Sequence, residues 1–391
     1  FMENTRQWLD NLTLKVSYGV QGNDNLGTYY AWQGLYDYTW PNATDAGAFV
    51  DKLENRKVTW EKNGNLNAGI EATMFGGRLG VSVEYYNRKT RDMLLNSPLP
   101  ISTGFTGFND NVGSLRNQGL EVSLRGTILD KRDFRWDATL MGSFNRNKVL
   151  SLTGGQDVIT SGIRVIEVGR PIYTFYLPKT AGVTPATGKQ LYYAYWTQTV
   201  NDEGTLVNTR CDEYITDNVA MATLSKYYHE SREPKLFGSI GSTFTILKNI
   251  DVSFLTTYSI GGWVYDGLYN GSMYVQYAGN NWHKNAKRRW QKPGDKTDVP
   301  MLEVGGSYAT ASNSLIDASY FAIKNITVGY TLPKRWLKKI DIESLRIYAT
   351  LDNIAMFNHM DGMDPQYNFT GSVAYSYTPS RVIAFGIDLN F

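Results

Sequence analysis

The connections between extended segments in this chain alternate strictly between long and short, and few folds tolerate that arrangement. Apolar residues recurring at every second position mark strands. About ten such segments can be read: Leu12 to Val20, Leu66 to Met74, Leu79 to Tyr85, Leu120 to Ile128, Phe134 to Phe144, Ile240 to Ile246, Ile250 to Ile260, Ile326 to Leu332, Leu345 to Leu351 and Ile383 to Phe391. Long loops cover 21–63, 91–116, 148–234, 263–317 and 354–379. Between them fall the short turns Phe75-Gly76-Gly77, Asp130-Lys131-Arg132-Asp133 and Lys248-Asn249, and the shorter connection 333–343. All short turns therefore lie at one end of the strands and all long loops at the other. Soluble sandwiches and propellers have no reason to sort their loops, whereas outer-membrane barrels have short periplasmic turns and long extracellular loops. No convincing amphipathic helix interrupts the pattern.

Alternation alone does not say which face is wet. Glu71, Glu84, Glu121, Arg125, Asp137 and Asp251 sit at mid-span, all on the polar face. A lipid-facing Arg or Lys at mid-depth costs roughly 2–4 kcal/mol, so this face is assigned to the lumen and the apolar face to lipid. Glu71, Glu84, Glu121, Arg125 and Asp137 are the candidate residues for contact with a plug inside the barrel; otherwise they keep the lumen polar and mutually paired. Spans of about 9–11 tilted residues cross the hydrocarbon core, which the longer segments satisfy. Trp136, Tyr85, Tyr258, Tyr330 and Phe391 fall near strand ends, where amphipathic rings prefer the headgroup level. A terminal aromatic such as Phe391, on the short-turn side, is also read as an assembly signal. The fold class is all-β, a transmembrane antiparallel barrel.

Composition removes other classes. A single cysteine, Cys211, makes no internal disulfide, and 39 basic against 37 acidic side chains give a net charge of +2, with no field suited to nucleic acid. Apolar residues make up 42% of the 391, too many for disorder, yet no run of about 18 marks a transmembrane helix. The chain opens Phe1-Met2-Glu3-Asn4 without a basic or apolar leader.

The three histidines, His229, His283 and His359, all fall in predicted outer loops, and only His359 with Asp361 and Asp364 forms a cluster. Loop histidines among polar residues are usually solvated, and the sequence before Pro365 reads equally as a turn, so no catalytic residue, metal or cofactor is assigned. Aromatics crowd the loops instead: Tyr29, Tyr30, Trp32, Tyr36, Tyr38 and Trp40 in the first, and Tyr192, Tyr193, Tyr195, Trp196, Trp282 and Trp290 further on. Such rings stack on sugars or hold peptide side chains, or else pack loop on loop beneath a partner. Tyr30, Trp32, Tyr38, Trp196 and Trp282 are taken as the candidate substrate-binding set. The basic run Lys284, Lys287, Arg288, Arg289 and Lys292 suits lipopolysaccharide phosphates, an acidic ligand or plain solvent.

Particular words in the sequence then resemble a family. Asn111-Val112-Gly113-Ser114-Leu115-Arg116-Asn117-Gln118-Gly119-Leu120-Glu121-Val122 is similar to a barrel strand of SusC/RagA-type TonB-dependent transporters. So are Val168-Gly169-Arg170-Pro171-Ile172, Ala181-Gly182-Val183-Thr184-Pro185-Ala186-Thr187-Gly188, the run from Ser319 to Pro333 and the closing Phe385-Gly386-Ile387-Asp388-Leu389-Asn390-Phe391. The matches run in family order from about residue 11 to the end. Two departures stand near the predicted mouth: Ala322 where the family often has Arg, and Asp361-Gly362-Met363-Asp364-Pro365 in place of Gly-Tyr-Asp-Pro.

The resemblance implies a barrel of about 22 strands around a plug, of which residues 1–391 would supply the last ten or so, about strands 13–22, with the plug and TonB box lying outside this chain. It implies active import of oligomeric nutrients, mainly oligosaccharides with peptides a minority, across the outer membrane of a Gram-negative cell. A SusD-like surface lipoprotein would close as a lid, TonB would pull on the plug, and the complex would be a dimer of SusC–SusD pairs. The rival readings are a passive porin or adhesin and a peptide-specific RagA-like importer; an enzyme is not expected.

Overall fold

A computed structural model describes residues 3–41, 43–45, 47–152, 157–273, 279, 281–303, 308–338, 342–366, 369–373 and 377–391. Its body is one antiparallel sheet of ten strands, here β1 (Leu9–Asn23), β2 (Glu61–Met74), β3 (Leu79–Arg91), β4 (Ser114–Lys131), β5 (Phe134–Ser151), β6 (Leu236–Ile246), β7 (Ile250–Ile260), β8 (Tyr320–Thr331), β9 (Ser344–Asn358) and β10 (Val382–Asn390). Each strand pairs with the one before and after it in this order, which leaves β1 and β10 as the two edges. The ten expected segments are these ten strands, most of them longer at the long-loop end than their apolar alternation suggested, because polar residues there leave no periodic signal.

The outer face carries the apolar set. Leu14, Val16 and Phe385 are 70, 78 and 81% exposed, and Ile70, Leu140, Phe144, Ile347 and Ile383 are exposed beside them. A continuous apolar face of this extent is not stable in water, and hydrocarbon is the solvent that suits it. Near the short-turn end of the same face, rings form a band across three strands. Trp136 stacks on Phe244 at 5.7 Å, and Phe134 and Phe254 each lie 6.1 Å from Phe244. The indole N–H of Trp136 donates to Ser242 Oγ at 3.2 Å, so the ring's polar edge is satisfied while its face meets lipid.

Glycines in the strands are covered by aromatic rings from neighbouring strands. A Cβ on Gly386 would come within 2.3 Å of the Tyr348 ring, and one on Gly119 within 2.4 Å of Tyr86 Oη. The ring fills the space that the missing side chain leaves, so each Tyr–Gly pair works as one cross-strand contact. On the apolar outer face, Tyr258 lies over Gly238 in the same way and its hydroxyl donates to the Met141 carbonyl at 2.9 Å.

The long connections are not the plain hydrophilic loops that their composition suggests. Loop 152–235 folds into two small sheets. One joins Val158–Ser161, Arg164–Glu167, Thr174–Pro178 and Lys226–Ser231; the other joins Thr180–Val183, Gln190–Val200 and Leu206–Thr216. A six-residue helix, Val219–Leu224, is capped by Asn218, whose side chain accepts from Ala220 N and Met221 N. Loop 261–319 adds Trp263–Asp266 and Leu315–Asp317, paired with each other, and a short helix, Gly267–Met273. These segments bury cores of their own: Phe175, Leu177, Tyr265 and Leu315 in one, Tyr192, Ala222, Ala309 and Ala311 in another. Loops from different strands share these cores, which is why no single loop reads as a folded unit.

Candidate functional site

The inner face divides into a lower wall and a mouth. On the wall, Lys15 Nζ lies 2.5 Å from Glu71, and Arg135 pairs with Asp137 at 2.7 Å while Thr127 donates to the same carboxylate at 2.6 Å. Arg346 on β9 reaches across β8 to β7 and also to β10: it donates twice to Asp251 at 2.9 and 2.6 Å and once to Asp388 at 3.1 Å. Glycine at 329 is what lets the guanidinium lie flat, since a Cβ there would fall within 2.6 Å of Arg346 Nε. Arg125, Asp137, Thr127 and Thr139 line a concave space of about 560 Å³ at the short-turn end. Glu84 and Glu121, by contrast, stand directly opposite each other in the β3–β4 register. Glu71, Glu84, Glu121, Arg125 and Asp137 thus lie on one face of the sheet, spread along it rather than gathered at one point.

At the long-loop end a cavity of about 380 Å³ opens between the inner face and the loops. Tyr86, Asn117, Asn145 and Asn147 come from β3 to β5; Tyr173, Arg232 and Glu233 come from loop 152–235; Phe237 and Tyr320 begin β6 and β8; Gln366 and Phe369 close it from loop 359–381. A hydrogen-bond chain fixes its polar side. Tyr86 Oη donates to Asn145 Oδ1 at 2.7 Å, Asn145 Nδ2 donates to Glu233, Asn147 N donates to Glu233 Oε2 at 3.0 Å, and Asn147 Nδ2 donates to Asn117 Oδ1 at 2.7 Å. Burial pushes the Glu233 carboxyl above the usual carboxylate range, with the Asn147 and Asn145 donors pulling the other way. Tyr173 and Phe369 meet edge to face at 5.7 Å.

The familiar sequence words acquire physical reasons here. In Gly169-Arg170-Pro171-Ile172, Gly169 has φ 94°, Gly169 N donates to the Val149 carbonyl, Val149 N donates to the Arg170 carbonyl, and Ile172 N donates to Asn147 Oδ1. The segment thereby docks onto the end of β5 and carries Tyr173 into the cavity. In Thr184-Pro185-Ala186-Thr187-Gly188, Trp290 from the next loop lies on Gly188 so closely that a Cβ would meet its ring at 2.4 Å, and its indole N–H donates to the Pro185 carbonyl at 2.9 Å.

The expected binding aromatics lie elsewhere. Tyr30, Trp32 and Tyr38 are exposed on loop 24–60 and none lines the cavity. Trp196 is on the hairpin 190–216, where its carbonyl accepts from Tyr214 Oη, and Trp282 packs against Met273, Ala286 and Val299. Tyr192 is not a stacking platform: it is buried, its hydroxyl accepts from Ala309 N, and burial raises its pKa to about 12. His229 is half-buried beside the Leu177 carbonyl, His283 caps the turn at Lys284 by accepting from Asn285 N, and Asp361 pairs with Lys284 at 3.3 Å. Asp364 accepts from Gln366 N. Among the described residues no group of three His, Cys, Asp or Glu side chains is placed to hold a metal. The basic run is likewise partly paired, Arg288 with Asp298 at 3.2 Å. The cavity residues escaped the sequence reading because Tyr86, Phe237 and Tyr320 are read there only as strand residues, and only topology gathers them. The terminal Phe391 lies one residue past β10, exposed at the short-turn end.

A ten-stranded antiparallel wall with a lipid-compatible outer face, a charged inner face and all long loops at one end defines the wall of an outer-membrane β-barrel. More narrowly, the chain belongs to the TonB dependent receptor-like β-barrel family, whose model matches residues 6–354. It is 27% identical over 419 residues to TonB-dependent receptor P26 of Formosa agariphila, covering 100% of this chain and 41% of that protein. To TonB-dependent receptor SusC of Bacteroides thetaiotaomicron it is 27% identical over 399 residues, covering 98% of this chain and 38% of that protein. The solved RagAB peptide transporter superimposes with a TM-score of 0.82 at 28% identity, covering 98% of this chain and 41% of that one. The chain therefore spans about two fifths of the length of these relatives, and it is the SusC/RagA type of barrel that it resembles.

Proposed function

We propose that this chain is the wall and mouth of an active outer-membrane importer of oligomeric nutrients. The observation that carries the reading is the pairing of a family-typical barrel wall with an aromatic, amide-lined cavity at its outer mouth. Oligosaccharides are the leading substrate class and peptides the alternative; rings beside amides serve both. The ten strands correspond to about strands 13–22 of a 22-stranded barrel, and the lumen charges Glu71, Glu84, Glu121, Arg125 and Asp137 face a plug. Energy comes through TonB rather than from chemistry in this chain, which works as a transporter and not as an enzyme. A SusD-like surface lipoprotein covers the mouth, with Tyr30, Trp32, Tyr38, Trp196 and Trp282 available to ligand or partner, and the transporter–lipoprotein pairs dimerise.

The test is uptake of labelled oligosaccharides and peptides by cells carrying the full-length protein, with and without TonB. Uptake that stops without TonB supports import. Uptake that persists identifies a passive porin instead. Copurification of a surface lipoprotein checks the partner independently.

A further inference from the structure

The outer face of β3 to β5 changes character toward the long-loop end. Tyr85, Leu120 and Phe144 form one cross-strand row, and all three are exposed. The next row on that face is Asn87, Gln118 and Arg146, and the one beyond it is Lys89, Arg116 and Lys148. Arg91, opposite Ser114, extends the set along β3. Two residues along a strand advance about 7 Å, so the cations begin roughly 7 Å above the last apolar row and continue for as far again.

These charges are not neutralised within the chain. Among the described residues none of the five forms an ion pair: the neighbouring Asp92 is taken by Lys62 at 3.0 Å, and Glu233, which feels Arg146 from a distance, is held by Asn145 and Asn147. Arg116 Nε is buried without a hydrogen-bond partner. Lys89, Arg116 and Lys148 stand directly opposite one another on strands about 4.8 Å apart, and like charges so placed repel. An anion resting on the row removes that repulsion, and phosphate suits both guanidinium and ammonium groups. Long Lys and Arg stems lie along apolar surface while their heads reach the polar layer above it. A soluble anion would meet the cations alone. A phosphorylated lipid meets both parts of the face, its acyl chains on the row of Tyr85, Leu120 and Phe144 and its phosphates on the rows above.

We propose that the outer face of β3 to β5 is a docking site for a phosphate-bearing lipid of the outer leaflet, with Lys89, Arg116 and Lys148 holding phosphate and Arg91 and Arg146 flanking them. The inference goes beyond the import reading and stands on the lipid-facing wall, whatever the cargo.

The experiment measures lipid binding to the full-length protein in detergent by native mass spectrometry. The probes are diphosphoryl lipid A and the same acylated disaccharide without phosphates. The phosphorylated form should bind about tenfold more tightly, and raised salt should reduce that advantage. Combined Lys89→Gln, Arg116→Gln and Lys148→Gln should abolish the preference. Combined Lys287→Gln, Lys292→Gln and Lys296→Gln, the same charge change on exposed residues of loop 261–319, should leave it intact. If the first combination gives no heat-modifiable band, Lys89→Gln alone, on an exposed side chain, decides by a severalfold loss. Equal binding of the two lipids overturns the proposal and leaves the patch to an acidic protein partner. A preference that survives the substitutions on β3 to β5, or that both combinations remove equally, overturns it as well. Displacement of the lipid by millimolar inorganic phosphate at constant ionic strength would assign the patch to a free anion and also overturn it.

Discussion

At the residue scale, the inner face contains both good and poor electrostatic pairs, and they make opposite predictions. Glu84 and Glu121 are directly opposed across β3 and β4, an arrangement that destabilises a sheet by a few tenths to about 1 kcal/mol. Glu121→Gln should therefore raise the urea midpoint of the detergent-solubilised protein slightly or leave it unchanged. Asp251 is different: it takes two donors from Arg346 at 2.9 and 2.6 Å with both side chains 28% exposed. Charge-assisted bidentate bonds at that exposure contribute about 1–2 kcal/mol, so Asp251→Asn should lower the midpoint. If both substitutions cost the same, pairing geometry on this wall does not set its stability. The sequence revealed that these charges share one face, because parity alone decides that. It could not reveal which of them meet, because register is fixed by turns and bulges such as the irregularity between Leu255 and Thr256.

At the scale of elements, the strand glycines and the loop sheets each carry a test. Gly386 is legible in the sequence as part of a familiar word, but its reason is the Tyr348 ring 2.3 Å from where a Cβ would stand. Gly386→Ala should cost about 1–3 kcal/mol by overpacking. The double substitution with Tyr348→Ala should cost less than the sum, since removing the ring makes the room that the methyl needs. Additive losses in chemical unfolding would show that the ring does not rest on the glycine. In the loops, His229 lies on the strand Lys226–Ser231 beside the Leu177 carbonyl, and burial lowers its pKa below the ordinary value of 6.5, with Lys179 adding to the effect. The opened loop then binds the proton more readily than the folded one, so the small sheet is at full stability above about pH 6.5 and loses it as pH falls below that value. Amide exchange at 174–177 and 226–231, corrected for intrinsic rates, should speed up between pH 7.5 and 5.5, and His229→Gln should flatten the dependence. The strands of this sheet are short and their partners lie in other parts of the loop, whereas the apolar alternation of period two that found the wall needs longer runs.

On the scale of the whole molecule, the ten-stranded order leaves β1 and β10 with one unpaired side each. Hydrocarbon cannot satisfy those backbone groups, so a sheet that crosses a membrane must close, through further strands of the same protein or through another copy. The outer faces of both edge strands are strongly apolar, with Val16 and Phe385 among their most exposed residues, which adds a second drive to association. The loops behave differently, because their cores are closed by the chain itself: Trp290 lies on Gly188, and Tyr192 with Ala222 packs against Ala309 and Ala311. The two halves of the molecule should therefore part company when residues 1–391 are produced without the remainder of a full-length relative. The wall should fail to give a heat-modifiable, folded band after extraction from outer membranes and should collect as aggregate, whereas the full-length protein gives that band. Limited proteolysis of the same aggregate after refolding in detergent should still protect loop 152–235 together with 261–319, and Trp290→Ala should remove that protection. A folded, monomeric and heat-modifiable band from residues 1–391 alone would mean that these ten strands can close on themselves, and the assignment to a larger barrel would have to be abandoned.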